Sequence, residues 1–227
     1  DAGVADLWCV FPELLTNDPR DPLHRLAVAD SKALFQSQRG MIDLERSVLS
    51  LLGAWGAASA NLDDLHQQLC GTSLSDGYEP WVTQEPHSLP HEADETEIGR
   101  FSARLAAAAP SARWRLHAAV SAVVTPRAFN ARLEATGNKA EVTSGFHAEV
   151  MRRAYEQTGD GSVIVYSDKH GGRNRYGSVL ADVFPGEWVD VLSEGADCSR
   201  YRVGRATVSF EPRAEHHAVV AMASMIS

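Results

Sequence analysis

Val163-Ile164-Val165-Tyr166-Ser167-Asp168 is the stretch on which the fold turns. β-branched and aromatic residues fill successive positions, the pattern of a strand buried on both faces of a sheet, and the run stops at once in Ser167-Asp168. Before it, Glu141 to Gln157 places Val142, Phe146, Val150 and Ala154 on one face of a helix that Gly145 weakens near its start, and Thr158-Gly159-Asp160-Gly161 turns the chain out of it. Earlier still, Thr125-Pro126 supplies an N-cap and a first-turn proline for a short helix through Leu133 that Gly137 ends. Trp114, Leu116, Ala118 and Val120 alternate with Arg115, His117 and Ala119, which predicts a strand over Ala112 to Val124.

Toward the N-terminus, Met41, Leu44, Val48, Leu51, Leu52 and Trp55 recur at helical steps. Cys70 to Ala93 is polar and punctuated by Gly71, Gly77, Pro80, Pro86 and Pro90, so it reads as a surface loop. Glu95 to Ala109 follows as a helix capped by Asp94 or Thr96 and stopped by Pro110, so residues 70–109 are expected to form an insertion of loop and helix. Beyond Asp168, Val189 to Leu192, Tyr201 to Val203 and Ala206 to Phe210 predict further strands with a bend at Gly204. The order predicts one α/β domain over residues 1–227, a mixed sheet flanked by helices.

With 227 residues, 44% hydrophobic and 22% charged, the chain falls among globular proteins long enough for a sizeable core. No apolar stretch approaches the roughly 20 residues that cross a bilayer, so no membrane role is expected. Cys9, Cys70 and Cys198 form neither a C-x-x-C pair nor an even disulfide set, which predicts a reducing, cytoplasmic location. A net charge of −9 argues against nucleic-acid binding by bulk electrostatics, although Lys169 to Arg205 carries a local run of basic residues. The first residue is Asp1, and the apolar helical pattern of Ala214 to Ser227 stops without Gly or Asn, so the chain is expected to be a fragment at both ends.

Asp168 is the leading candidate for chemistry, because a carboxylate at the end of a strand in an α/β sheet sits on the rim where such folds place ligands. A turn residue opening Asp168-Lys169-His170-Gly171-Gly172 would look the same. Lys169, His170, Arg173, Asn174, Arg175 and Tyr176 gather donors and a stacking ring around two glycines, a composition suited to phosphates and sugars. His87 and His91 make an H-x-x-x-H pair that Pro90 spoils, and His147 and His216-His217 lack ligand spacing, so no zinc site is expected. Neither G-x-S-x-G nor a Walker or dinucleotide fingerprint occurs.

The order of these pieces resembles type 2 ribonuclease H (ribonuclease HII). Ala29-Asp30-Ser31-Lys32 is similar to that family's D-S-K segment. The strand to Val124, the Pro126 helix and the helix carrying Met151-Arg152-Arg153-Ala154 are similar to its strand, short helix and M-x-R-A helix. Val163 to Asp168 is similar to its next strand, which ends in an acid. Arg213-Ala214-Glu215 and Ala218 to Ser227 are similar to its K-A-D turn and following helix, with Glu where Asp is usual.

The resemblance implies a ribonuclease H-like fold and hydrolysis of the RNA strand of RNA/DNA hybrids. It implies two Mg2+ or Mn2+ ions held by four carboxylates, of which Asp168 and Glu215 match two as catalytic and metal-binding residues. Asp30, Ser31, Lys32, Lys169, His170, Arg173, Arg175 and Tyr176 would then contact the substrate. The family's Asp-Glu pair lies upstream of Asp1, and residues 70–109 and the His-Gly-Gly-Arg-Asn-Arg loop depart from its usual pattern. Two alternatives stand beside the nuclease. One is a noncatalytic ribonuclease H-like nucleic-acid-binding module. The other is an unrelated hydrolytic enzyme of α/β class using Asp168 and His170, for which no nucleophile is found.

Overall fold

The computed structural model describes residues 6–35, 40–74 and 87–227. It contains two compact units, Asp1–Leu116 with Glu215–Ser227, and His117–Ala214. Both combine helices with strands, so the chain is α/β. Gly77, Pro80 and Pro86 of the expected loop lie outside the described residues. Among the described residues no helix is long and apolar enough to cross a membrane, and Cys9, Cys70 and Cys198 are all free thiols.

The first unit opens with α1 (Leu7–Val10), capped by the Asp6 carboxylate. Strands β1 (Leu15–Thr16) and β2 (Leu26–Ala27) pair in parallel, Leu15 opposite Leu26. Asp30 accepts the Lys32 N–H and starts α2 (Ser31–Leu34). The expected amphipathic helix is α3 (Ile42–Ala54), followed by α4 (Leu62–Cys70) and α5 (Glu95–Ala112). Asp94 caps α5 as expected, accepting the Thr96 N–H at 2.7 Å and the Glu97 N–H at 3.1 Å.

Pro110 does not stop α5; its missing N–H removes one intrahelical bond, and the helix continues to Ala112 before closing at Arg113 with φ 53°. Phe101, Leu105 and Ala109 of α5 are buried in the core with Leu7, Phe11, Leu26, Val28 and Leu34. At the α3–α5 crossing the backbones approach so closely that a Cβ on Gly53 would lie 2.8 Å from Ser102 Oγ. The same hydroxyl donates to the Ser50 carbonyl at 3.0 Å. Glu45 on α3 accepts the N–H groups of His91, Glu92 and Ala93, which fixes the segment leading into α5. The last helix, Ala218–Ile226, adds Ala218, Ala221, Met222 and Met225 to this core.

The strand expected over Ala112 to Val124 does not form: residues 114–125 take no regular structure. The apolar alternation there reflects side-chain anchoring rather than a ladder. Trp114 lies edge-on to Trp55 at 4.6 Å and to Phe11 at 5.9 Å, and its N–H donates back to Ala109 at 3.3 Å. A segment that enters no backbone ladder is not a strand, whatever its side-chain pattern. Among the described residues this segment contributes no strand to the sheet that contains Val163–Asp168.

In the second unit, α6 (Pro126–Thr136) begins at Thr125 and ends at Gly137, whose φ of 65° suits a residue without a side chain. Helix α7 (Lys139–Glu156) follows from the Asn138 cap. Next come β3 (Val163–Asp168), α8 (Gly177–Val183), β4 (Val189–Ser193), β5 (Ser199–Val203) and β6 (Ala206–Glu211). The four-stranded sheet has the order β3-β6-β5-β4, parallel between β3 and β6 and antiparallel elsewhere. Ser199, Tyr201 and Val203 point inward while Arg200 and Arg202 point out, the alternation of a sheet with one packed face.

Strand β3 is not buried on both faces as expected. It is an edge strand with a single hydrogen-bonded neighbour, and Ile164 is 46% exposed. The core of this unit is instead carried by Tyr176, Leu180, Val183, Tyr201, Val208 and Phe210, closed on one side by Ala148 and Met151 of α7.

Candidate functional site

Because β3 and β6 run in parallel, their carboxyl ends share one rim of the second unit, and the register places Asp168 directly opposite Glu211. Neighbouring strands lie about 4.8 Å apart, so residues in register present two carboxylates side by side on the same face. Asp168 is exposed, and its Oδ1 accepts the Ala214 N–H at 3.2 Å. Among the described residues Oδ2 takes no hydrogen bond, which leaves it for a cation or a donor. Glu211 is half-buried, with the Cys198 thiol 3.9 Å from Oε1. Hard divalent cations such as Mg2+ and Mn2+ take carboxylate oxygens, so these two donors are of the chemical type that the ions implied by the resemblance need.

The loop after Asp168 is tied down from within. Lys169 is buried, and its ammonium donates to Asn174 Oδ1 at 2.8 Å and to the Gly195 carbonyl, so it braces the loop against the β4–β5 connection. Tyr176 is fully buried and stacks on Phe210 with ring centroids 3.7 Å apart and planes 4° apart. Its hydroxyl accepts the His170 N–H at 3.0 Å and donates to the Arg173 carbonyl at 3.1 Å. Its own N–H donates to the Tyr201 hydroxyl at 2.9 Å, which donates to Glu194 at 2.7 Å. Burial, with that bond to Glu194, pushes the Tyr201 phenol up to about 12, and burial also raises Tyr176, so both hydroxyls stay protonated.

His170 lies against His147 of α7, with ring centroids 4.5 Å apart. His147 Nε2 is 3.3 Å from Ser167 Oγ, while Nδ1 of both rings is buried without a hydrogen-bond partner among the described residues. Burial, reinforced by the neighbouring His170, pushes His147 down to about 4. Burial and then Arg173 lower His170, against the opposing pull of Asp168. Both imidazoles are therefore neutral near pH 7, and the basic character of the loop rests on its arginines. Arg175 is 89% exposed in its side chain and 3.6 Å from Glu194, whereas Arg173 turns inward to donate to Ser144 Oγ at 2.6 Å.

Of the residues singled out in the sequence, Asp168, Lys169, His170, Arg173, Arg175 and Tyr176 thus form one connected loop on the second unit. Asp30, Ser31, Lys32 and Glu215 belong to the first unit. There Ser31 Oγ is 3.3 Å from Ser224 Oγ, which is 3.5 Å from Asp30 Oδ1, joining the D-S-K segment to the last helix. Glu215 stands in the 3-10 turn Ala214–His216. The sequence reading missed Glu211, which a search for acids ending every predicted strand would have found, and it missed Glu194 and Ser144, whose roles depend on tertiary contacts alone. No family model, curated protein or solved structure matches the chain.

Proposed function

We propose that this chain is a divergent ribonuclease HII-like, metal-dependent endoribonuclease that hydrolyses the RNA strand of RNA/DNA hybrids on a modified ribonuclease H-like fold. The supporting observation is the in-register carboxylate pair, Asp168 and Glu211, at the carboxyl ends of adjacent parallel strands. In such sheets that rim is where ligands bind. Asp168 and Glu211 would hold Mg2+ or Mn2+, which supplies an activated water and charge stabilisation at the leaving oxygen. Lys169 and Tyr176 hold the loop that carries Asp168, so they act as positioning residues. The exposed Arg175 would meet the phosphate backbone as a salt-sensitive contact.

The test is cleavage of an end-labelled RNA/DNA hybrid at increasing Mn2+ or Mg2+. Asp168→Asn and Glu211→Gln should each reduce metal-dependent cleavage by about a hundredfold or more, with unfolding temperatures near that of the parent. Glu215→Gln in the same assay decides whether the acid implied by the resemblance takes part. Full cleavage by Asp168→Asn would refute the site. Salt-sensitive hybrid binding without cleavage at any metal concentration would replace the nuclease with the noncatalytic binding module.

A further inference from the structure

The second unit contains a cleft of about 580 Å³ between α6, α7 and α8. That lies within the roughly 300–1,000 Å³ typical of small-molecule sites. Arg173 reaches into it from the loop after Asp168. Its Nη1 donates at 2.6 Å to the Oγ of Ser144, a side chain that is itself 8% exposed and donates on to the Ala140 carbonyl at 2.8 Å. The guanidinium is therefore held in one place. Of the five N–H donors that a guanidinium carries, only the one to Ser144 meets a protein acceptor among the described residues, and no carboxylate pairs with it there. A fixed, half-buried guanidinium with unmet donors is a fork for an anion with several oxygens.

Other parts of the wall add further chemistry. Glu141 and Asp182 line the cleft as exposed carboxylates, which reject a bare polyanion and accept hydroxyl donors. Arg132 has its guanidinium carbon 3.8 Å from the Phe146 ring centroid and is paired with Glu149 at 3.1 Å, so its charge is compensated while its guanidinium remains a planar group. Bases stack on guanidinium planes, and vicinal ribose hydroxyls donate to carboxylates. Val142 supplies apolar wall.

We infer that this cleft is a binding site for a nucleoside 5′-monophosphate, with the phosphate on Arg173, the ribose diol facing Asp182 and Glu141, and the base against Arg132. The inference does not require that the chain cleave nucleic acid, because its readout is binding alone. Isothermal titration of the whole chain with AMP, 2′-deoxy-AMP and inorganic phosphate tests it. AMP should bind saturably, and Arg173→Gln should weaken it about tenfold or more, the loss expected from removing a charge-assisted fork. AMP should bind more tightly than 2′-deoxy-AMP, and Asp182→Asn should narrow that difference.

Arg173→Lys keeps the charge but not the fork, and should also weaken AMP even if Arg173→Gln disturbs folding. Absence of saturable AMP binding would overturn the inference. So would unchanged affinity in Arg173→Lys, or equal affinity for AMP and inorganic phosphate.

Discussion

Removing one oxygen from Tyr176 tests whether the loop carrying Asp168 is rigid for the reasons given. In Tyr176→Phe the ring can keep its stack on Phe210, so packing is retained while two hydrogen bonds vanish. The hydroxyl accepts from the His170 N–H at 3.0 Å and donates to the Arg173 carbonyl at 3.1 Å. A net hydrogen bond is worth about 1 kcal/mol, rising toward about 3 kcal/mol when the abandoned partner cannot reach water. His170 and Arg173 are half-buried, so water can partly replace the hydroxyl, and the lower end applies: about 2 kcal/mol for the two bonds together. That corresponds to about a thirtyfold larger open population of the loop.

Native-state hydrogen exchange at the His170 amide reads this opening directly, and denaturant unfolding shows how much of it is global. Hybrid cleavage should fall with the exchange protection, because Asp168 is carried at the base of the same loop. Exchange of the His170 amide at the parental rate, with unfolding stability changed by less than about 0.5 kcal/mol, would show that the Tyr176 hydroxyl does not hold the loop.

His147 titrates near 4 in the folded chain against 6.5 when unfolded, so between these values the unfolded state binds the extra proton. Its contribution to stability is complete above pH 6.5 and is lost as pH falls toward 4, at up to about 1.4 kcal/mol per pH unit and about 3 kcal/mol in all. Denaturant titrations across that window should show a slope that His147→Asn flattens; an unaltered slope assigns the protons elsewhere. Gly53→Ala should cost about 1–2 kcal/mol, the strain of the 2.8 Å approach to Ser102 Oγ outweighing the better helix propensity of alanine. A thermal melt in which Gly53→Ala is as stable as the parent would show that α3 and α5 are not so close. Arg175→Ala should weaken hybrid binding most at low salt and flatten its salt dependence, and fluorescence anisotropy across a salt series checks it.

The helices with strong periodicity and caps were legible: Asp94, Thr125 and Gly137 punctuate helices where the sequence places them, although α5 runs past Pro110 to Ala112 and α7 starts at Lys139, ahead of the expected Glu141. Strand assignments fared according to whether a partner exists. Ala206 to Glu211 and Ser199 to Val203 find each other around Gly204, whereas Trp114 to Val120 has comparable alternation and forms no ladder among the described residues. Side-chain pattern reports burial, and pairing is a property of distant backbone that no local window contains. The same gap explains the Val163 strand, whose apolar run cannot reveal that β3 lies at a sheet edge.

At the site, the loop from Lys169 to Tyr176 was visible by composition, but the inward direction of Lys169 and Arg173 was not. Glu211 became a candidate only when the parallel register set it opposite Asp168. Leu62–Cys70 and Gly177–Val183, which form helices, are too short and too mixed in composition to signal themselves.

The chain leaves the first unit after Leu116, completes the second, and returns at Glu215 to supply the helix whose Ala218, Ala221, Met222 and Met225 enter the earlier core. During synthesis this nesting imposes an order. The later-made unit has every residue of its core by Phe210 and can close while the earlier-made one still lacks a wall. Until Ala218 to Met225 have been made, Leu7, Leu26 and Leu34 lack part of the apolar surface that covers them, so the first unit stays open to chaperones longer than the second.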